Sequence, residues 1–186
     1  MTAVYTPVYT IVVRIYTGRY LMMKAKEITV GGLLAALALV IPLAFGGVLG
    51  IVIPPFSATL ASHVPVMLAM VVSPATAVFV GLVSALGFLI KLGPVIAARA
   101  AVHAVFGYVG AKMIQRGYSF PVALAATLPI HAGLEALVVM PFGFDFYKAF
   151  VVVGVGTMIH HVIDSAIALA VFYALNPILK LKTIQH

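Results

Sequence analysis

Long apolar stretches separated by short breaks dominate the chain. A helix that crosses a bilayer needs about 20 predominantly apolar residues, and Gly or Pro pairs such as Gly46-Gly47, Pro54-Pro55 and Gly93-Pro94 mark the breaks. The predicted spans cover residues 27–45, 56–72, 74–90, 94–114, 120–140 and 150–175. The pattern predicts an all-α polytopic membrane protein, a bundle of six transmembrane helices.

Basic residues predict the orientation of this bundle. Six spans place eight Lys and Arg on one side, and they place only Lys91 and Lys148 on the other. The eight are Arg14, Arg19, Lys24, Lys26, Lys112, Arg116, Lys180 and Lys182. Because cytoplasmic loops carry an excess of basic residues, we expect both termini to be cytoplasmic.

Composition supports membrane insertion. Of the 186 residues, 64% are apolar and 8% are charged, whereas soluble domains are roughly half apolar and about a quarter charged. This excludes an ordinary soluble enzyme, a disordered chain and a nucleic-acid-binding domain, although the net charge is +7. The bilayer, and not nucleic acid, is the expected partner. The chain has no Cys, which rules out disulfides and thiolate chemistry within it.

The chain divides into two parts. Residues 1–23 form an N-terminal extension that is rich in Tyr and free of acidic residues. It is either a segment at the membrane surface or the result of a start assigned upstream of Met22 or Met23. Residues 24–186 are expected to form a single membrane domain.

Ionisable residues within the spans are the candidate functional residues, because a charge at the bilayer centre costs roughly 2.5–3.5 kcal/mol or more. Arg99 and Glu135 each lie four positions from a His, so each pair shares a helix face. Each of the last three spans thus carries one polar stripe, and together they predict a polar pocket. The candidates are Arg99, His103, His131, Glu135, His160, His161 and Asp164. His63 is a weaker candidate, since the start of a span is also a headgroup position.

Arg99 leaves two interpretations open. Its guanidinium could hold an anionic ligand, because it favours bidentate pairing with a carboxylate. It could instead form an internal ion pair with Glu135 or Asp164 that only fixes helix packing. His131 and Glu135, or His160, His161 and Asp164, could ligate a metal ion. We predict no bound metal, because a guanidinium beside the site disfavours a cation.

Known catalytic patterns are absent from the sequence. There is no G-x-x-x-x-G-K-[ST] and no H-E-x-x-H, and no residues form a set of nucleophile, base and orienting group. We therefore expect neither an enzyme nor a cofactor. The first span carries a different signal, since Gly31 with Ala35 and Gly32 with Ala36 are small-xxx-small pairs. Such pairs let another helix approach closely, either within the bundle or from a partner.

Several segments resemble one membrane protein family. Lys24-Ala-Lys-Glu-Ile leads into Gly32-Leu-Leu-Ala-Ala-Leu, and six short spans follow. This arrangement resembles the substrate-binding subunit, or S-component, of energy-coupling factor (ECF) transporters, over about residues 24–176. Ala61-Ser-His-Val-Pro-Val-Met-Leu-Ala and Ile159-His-His-Val-Ile-Asp-Ser-Ala-Ile-Ala-Leu are similar to segments of members that take up niacin-like vitamins.

The resemblance implies a function. The chain would capture a small water-soluble vitamin near the outer face of a prokaryotic plasma membrane, with niacin favoured over pantothenate or another vitamin. Arg99 would hold the ligand carboxylate, and the first loop, about residues 46–55, would close over the pocket. The small-residue face of the first span would dock on an energising transmembrane subunit, and two ATPases would complete the complex. The family's motif has Ala at both docking positions, so Gly31 or Gly32 is a departure.

Other functions fit the same residues. A nickel or cobalt S-component would use the imidazoles as ligands. A stand-alone secondary carrier or proton-coupled channel would use chains of buried His and acidic residues as a proton relay. Such carriers often show inverted repeats and broken midplane helices, and the sequence shows neither. An intramembrane enzyme or a structural scaffold is the remaining alternative.

Overall fold

The computed structural model describes residues 25–45, 50–53 and 56–179. The elements in chain order are α1 Ala25–Val40 with a π-helical turn Ile41–Phe45, β1 Gly50–Ile53, β2 Phe56–Thr59, α2 Val64–Met70, α3 Pro74–Leu92, α4 Pro94–Gln115, α5 Phe120–Val139 with a 3₁₀ turn Met140–Phe142, a π-helical segment Tyr147–Gly154, and α6 Val155–Leu179. The prediction for residues 1–23 lies outside the described residues. So do the basic residues Arg14, Arg19, Lys24, Lys180 and Lys182.

Five helices in the described residues are long and apolar enough to cross a membrane. They are Glu27–Phe45, Pro74–Leu92, Pro94–Gln115, Phe120–Phe142 and Tyr147–Pro177. Large apolar side chains cover their outer surfaces; Leu33 is 68% exposed and Ile90 is 67% exposed. Exposed apolar area of this kind suits contact with lipid and not with water. The prediction of an all-α polytopic membrane protein is confirmed.

The second predicted span, residues 56–72, is not one continuous helix. Its first four residues form β2, which pairs antiparallel with β1 so that Gly50 lies opposite Thr59. The helix begins only at Val64, with Pro65 in its first turn, a position that suits the fixed φ of proline. Seven residues rise about 10 Å, far less than the thickness of the hydrocarbon core. The hydrophobic pattern did not predict this change from strand to helix, because the residues of both elements are largely apolar.

Helix α2 is packed inside the bundle, and every one of its residues is buried. Glycines of α4 leave room for it: a Cβ built on Gly110 would clash with Sδ of Met70. Helices α3 and α4 also approach closely, since a Cβ on Gly81 would lie 2.5 Å from the backbone nitrogen of Ala104. Close approach through small residues is how membrane helices gain packing energy without a hydrophobic driving force.

Helix α1 lies at the edge of the bundle. Gly31 and Ala35 are buried, and a Cβ on Gly31 would lie 3.0 Å from the Thr76 side chain of α3. Gly32 and Ala36 are exposed on the adjacent face, about 100° around the helix, and nothing lies within 4 Å of a Cβ on Gly32. The first small-residue pair therefore packs internally, and the second faces outward.

Candidate functional site

All seven predicted site residues are buried in the interior. Their exposed fractions range from 0% to 8%, and they project from α4, α5 and α6. Seven polar residues at such depth require partners, because an unpaired buried polar group or charge is costly. Their partners divide them into two groups, one around Glu135 and one around Asp164.

The two oxygens of the Glu135 carboxylate have different partners. Nε and Nη2 of Arg99 donate to Oε2 at 2.9 and 2.7 Å. The Thr157 hydroxyl donates to the same oxygen at 2.6 Å. Charge-assisted bonds of this length are strong, so the carboxylate is held in one orientation. The ion pair that the sequence left as one interpretation of Arg99 is present in the structure.

The second oxygen of Glu135 faces imidazoles. Nε2 of His131 lies 3.3 Å from Oε1, and Nε2 of His103 lies 3.9 Å from it. Behind His131, its Nδ1 is 3.0 Å from Nδ1 of His161. The Nε2 of His161 in turn donates to the carbonyl of Leu124 at 3.0 Å. The two His residues therefore form a hydrogen-bonded row that ends at the carboxylate.

The Asp164 group stabilises the backbone between the hairpin and α2. The Asp164 carboxylate accepts the backbone N–H of Ala61 at 2.8 Å and that of His63 at 3.0 Å. Nε2 of His160 lies 3.1 Å from the Thr59 carbonyl and 3.2 Å from Oδ2 of Asp164. Irregular backbone at membrane depth is tolerated only where protein or a water-filled cavity surrounds it. These side chains provide that protein environment.

His63 lies at the centre of the site. Its ring centroid is 4.6 Å from that of His103, 4.5 Å from that of His131 and 4.4 Å from that of His160. Its Nδ1 is 3.0 Å from Oδ2 of Asp164, but this contact lacks hydrogen-bond geometry and leaves the nitrogen without a hydrogen-bond partner among the described residues. Sequence reasoning gave His63 little weight because a span beginning at residue 56 places it near the headgroups. A helix beginning at Val64 places it at the core instead.

The adjacent residues His160 and His161 point in different directions. His161 faces α5, where Leu124 and His131 contact it, whereas His160 faces the hairpin. Neither faces lipid, since both are buried. A separation of about 100° on a helix is enough to place one in each group.

A cleft adjoins both groups. Its wall combines hairpin residues, apolar side chains near the turn between α3 and α4, and polar site residues. The lining residues are Ser57, Ala58, Thr59, Ser62, His63, Phe88, Leu92, Ile96, Arg99, Ala100, His103, Glu135 and His160. The contribution of Ser57 and Thr59 was not predicted from the sequence, because the apolar run of residues 56–72 indicates a single span.

Comparison with known proteins gives a relative. The niacin transporter NiaX of Lactococcus lactis subsp. cremoris is 34% identical over 164 residues, which cover 78% of this chain and 72% of that protein. No family model matches the chain, and no solved structure matches it.

The sequence identity to a transporter and the apolar helices support the same conclusion. A relative that is a transporter, together with five apolar helices, places the chain in the prokaryotic plasma membrane as a multi-pass protein. The extent of the match covers most of both chains. The chain therefore belongs to the S-components of ECF transporters, in the niacin transporter subfamily.

Proposed function

We propose that this vitamin-uptake S-component captures nicotinate in the cleft beside Arg99. The observation that carries the proposal is a buried guanidinium in the wall of a cleft that also has an apolar side. Arg99 is 5% exposed and borders the cleft together with Glu135 and His103. A guanidinium in a site with little water is suited to recognising a carboxylate.

The two walls of the cleft differ in character. Phe88, Leu92 and Ile96 form an apolar side, which suits the face of an aromatic ring. The hairpin and Arg99 form a polar side, where Nη1 of Arg99 donates to the Ser57 carbonyl at 3.3 Å. Nicotinate matches this division, with its ring against the apolar wall and its carboxylate at the guanidinium.

The hairpin covers the cleft and is proposed to control access. Its carbonyls at Ser57 and Thr59 accept hydrogen bonds from Arg99 and His160. The same two side chains that line the cleft would therefore also hold the hairpin over it. A ligand carboxylate that takes over part of the bonding of Arg99 would loosen the Ser57 contact. The open and closed states would thus differ by a few hydrogen bonds.

Import requires an energy source outside this chain. We propose that the outward face of α1 at Gly32 and Ala36 docks on the energising membrane subunit of an ECF module, which carries two ATPases. Both residues are exposed, and small residues permit a close helix contact. The sequence left two small-residue pairs as candidates for docking. We choose Gly32 and Ala36, because Gly31 and Ala35 pack within the bundle.

Ligand binding can be tested on the purified chain in detergent. Thermal unfolding, followed by circular dichroism because the chain has no Trp, is recorded with nicotinate, nicotinamide and pantothenate. We expect a shift with nicotinate that exceeds the shift with nicotinamide, since only nicotinate carries the carboxylate. A ligand at 100 times its Kd adds about 2.7 kcal/mol.

Arg99→Lys is the informative variant and Arg116→Lys is its matched control. Lys keeps the charge that Glu135 requires but loses the bidentate geometry. The affinity for nicotinate is therefore expected to fall at least tenfold. Arg116 is exposed in the loop after α4, and its variant should bind like the wild type. Equal shifts with nicotinate and nicotinamide, or unchanged binding by a folded Arg99→Lys chain, would refute the role of Arg99.

A further inference from the structure

We propose that His63, His103, His131 and Glu135 bind a single divalent transition-metal ion beside the cleft. One ligand atom from each residue lies within 4.8 Å of the others, and all four residues are buried. Two ligands about 2.0–2.1 Å from a shared tetrahedral ion lie about 3.3 Å apart. The 3.3 Å between Nε2 of His131 and Oε1 of Glu135 has this spacing.

Two neutral imidazoles cannot supply protons for all three contacts of the His131–His161 row. Three contacts connect the Leu124 carbonyl to the Glu135 carboxylate through His161 and His131. Both ends are acceptors, so three hydrogen bonds need three protons, but two neutral imidazoles carry only two. If His161 donates to Leu124 and His131 donates to His161, then Nε2 of His131 presents a lone pair to Oε1 of Glu135. A metal ion between these two atoms satisfies both.

The arrangement behind the ligands is that of a supported metal site. Ligating His residues usually donate their second nitrogen to an orienting acceptor, which fixes the tautomer. His131 has His161 in this role, and Nδ1 of His103 lies 3.4 Å from the Ser84 hydroxyl. Arg99 does not occupy the ligand oxygen, because its Nε and Nη2 bind Oε2 of Glu135 and leave Oε1 to the imidazoles.

The balance of buried charge also favours a cation. Among the described residues, the buried ionised groups of the site are one cation, Arg99, and two carboxylates, Glu135 and Asp164. With neutral imidazoles they sum to −1, which is unfavourable in a membrane interior. Imidazole and carboxylate ligands suit zinc, cobalt and nickel. A set of four protein ligands favours the tetrahedral geometry of zinc and cobalt.

The Asp164 group can be distinguished from this site. His160, His63 and Asp164 also lie within ligand distance of one another. However, Nε2 of His160 faces two acceptors, the Thr59 carbonyl and Asp164, so it carries a proton and not a lone pair for a metal. Asp164 already accepts two backbone N–H groups. We therefore assign the ion to the Glu135 group.

Metal binding by the full chain in detergent tests this assignment. The chain is purified through a tag that contains no histidine, stripped with a chelator, and titrated with Zn²⁺ and Co²⁺. We expect one ion per chain by elemental analysis and the visible absorption of tetrahedral Co²⁺. His103→Gln should bind at least tenfold more weakly, since even loss of an orienting partner costs 10–100-fold. His160→Gln is the matched control and should keep the ion.

Three results would overturn the proposal: no ion bound by the folded wild-type chain, full binding by folded His103→Gln, or equal loss from His160→Gln. The first would indicate that an additional proton on the His131–His161 row makes the third hydrogen bond. If His103→Gln does not fold, X-ray absorption of the wild-type chain with Zn²⁺ decides. Three imidazoles are expected, and fewer would refute the ligand set. No vitamin is present in these measurements, so their outcome is independent of nicotinate binding.

Discussion

Asp164 shows how one buried side chain can stabilise an irregular piece of backbone. It is fully buried, and its carboxylate accepts two backbone N–H groups at the start of α2. One of them belongs to Ala61, whose φ of +64° is left-handed and therefore unfavourable for a residue with a Cβ. A membrane-buried acid is usually read as part of a transport pathway; here the backbone contacts give it a structural role as well.

We expect Asp164→Asn to destabilise the fold by about 1–3 kcal/mol, because an amide offers only one acceptor oxygen and leaves a buried backbone donor unsatisfied. Thermal unfolding of the purified chain, followed by circular dichroism, measures the change. Asp145→Asn is the matched control. Asp145 is exposed in the loop before the last span, where the backbone N–H and ammonium of Lys148 lower the pKa of its carboxyl. Equal midpoints for the two variants would contradict the structural role of Asp164.

Residue spacing predicts part of the site and misses another part. Arg99 with His103 and His131 with Glu135 were assigned to shared helix faces by their four-residue spacing, and the structure places all four in the interior. The central position of His63 was missed, because it depends on where α2 begins. Ser57 and Thr59 contact Arg99 and His160, which are more than 40 positions away in the sequence. A local sequence pattern does not predict such contacts.

At the scale of elements, a tight helix pair positions the site. Arg99 and His103 lie on α4, and the close approach of α3 to α4 at Gly81 brings the Ser84 side of α3 against His103. The apolar pattern predicted both helices within a few residues of their observed bounds. The pattern failed at residues 56–72, since hydrophobicity alone does not distinguish a buried strand from a buried helix over a short run.

We expect Gly81→Ala to destabilise the chain by about 1–3 kcal/mol through overpacking. The added Cβ would lie 2.5 Å from the Ala104 nitrogen and 2.7 Å from its Cα, and backbone atoms cannot rotate away as a flexible side chain can. Gly32→Ala is the control, since nothing lies within 4 Å of the added Cβ and Ala favours a helix more than Gly does. Thermal unfolding compares them, and a neutral Gly81→Ala would contradict the close packing.

For the whole molecule, the proposed binding site and the proposed docking face are separate. The cleft lies among α3, α4, α5, α6 and the hairpin, whereas the outward face of α1 with Gly32 and Ala36 is elsewhere on the surface. A change on that face should therefore leave ligand affinity intact and act only on assembly. This is the division of labour expected of a subunit that binds a vitamin but has no ATP-binding motif of its own.

Ala36→Leu tests this separation. The added bulk should prevent a close helix contact with the energising subunit, so we expect vitamin uptake by cells that express the complete module to fall to background. Nicotinate binding by the isolated chain should not change. Ala125→Leu makes the same substitution at an exposed position of α5 and should support normal uptake. If Ala36→Leu takes up vitamin as Ala125→Leu does, the energising subunit docks on another face. If both variants lose uptake while the isolated chains still bind, the membrane-facing surface as a whole is sensitive to bulk, and α1 has no special role.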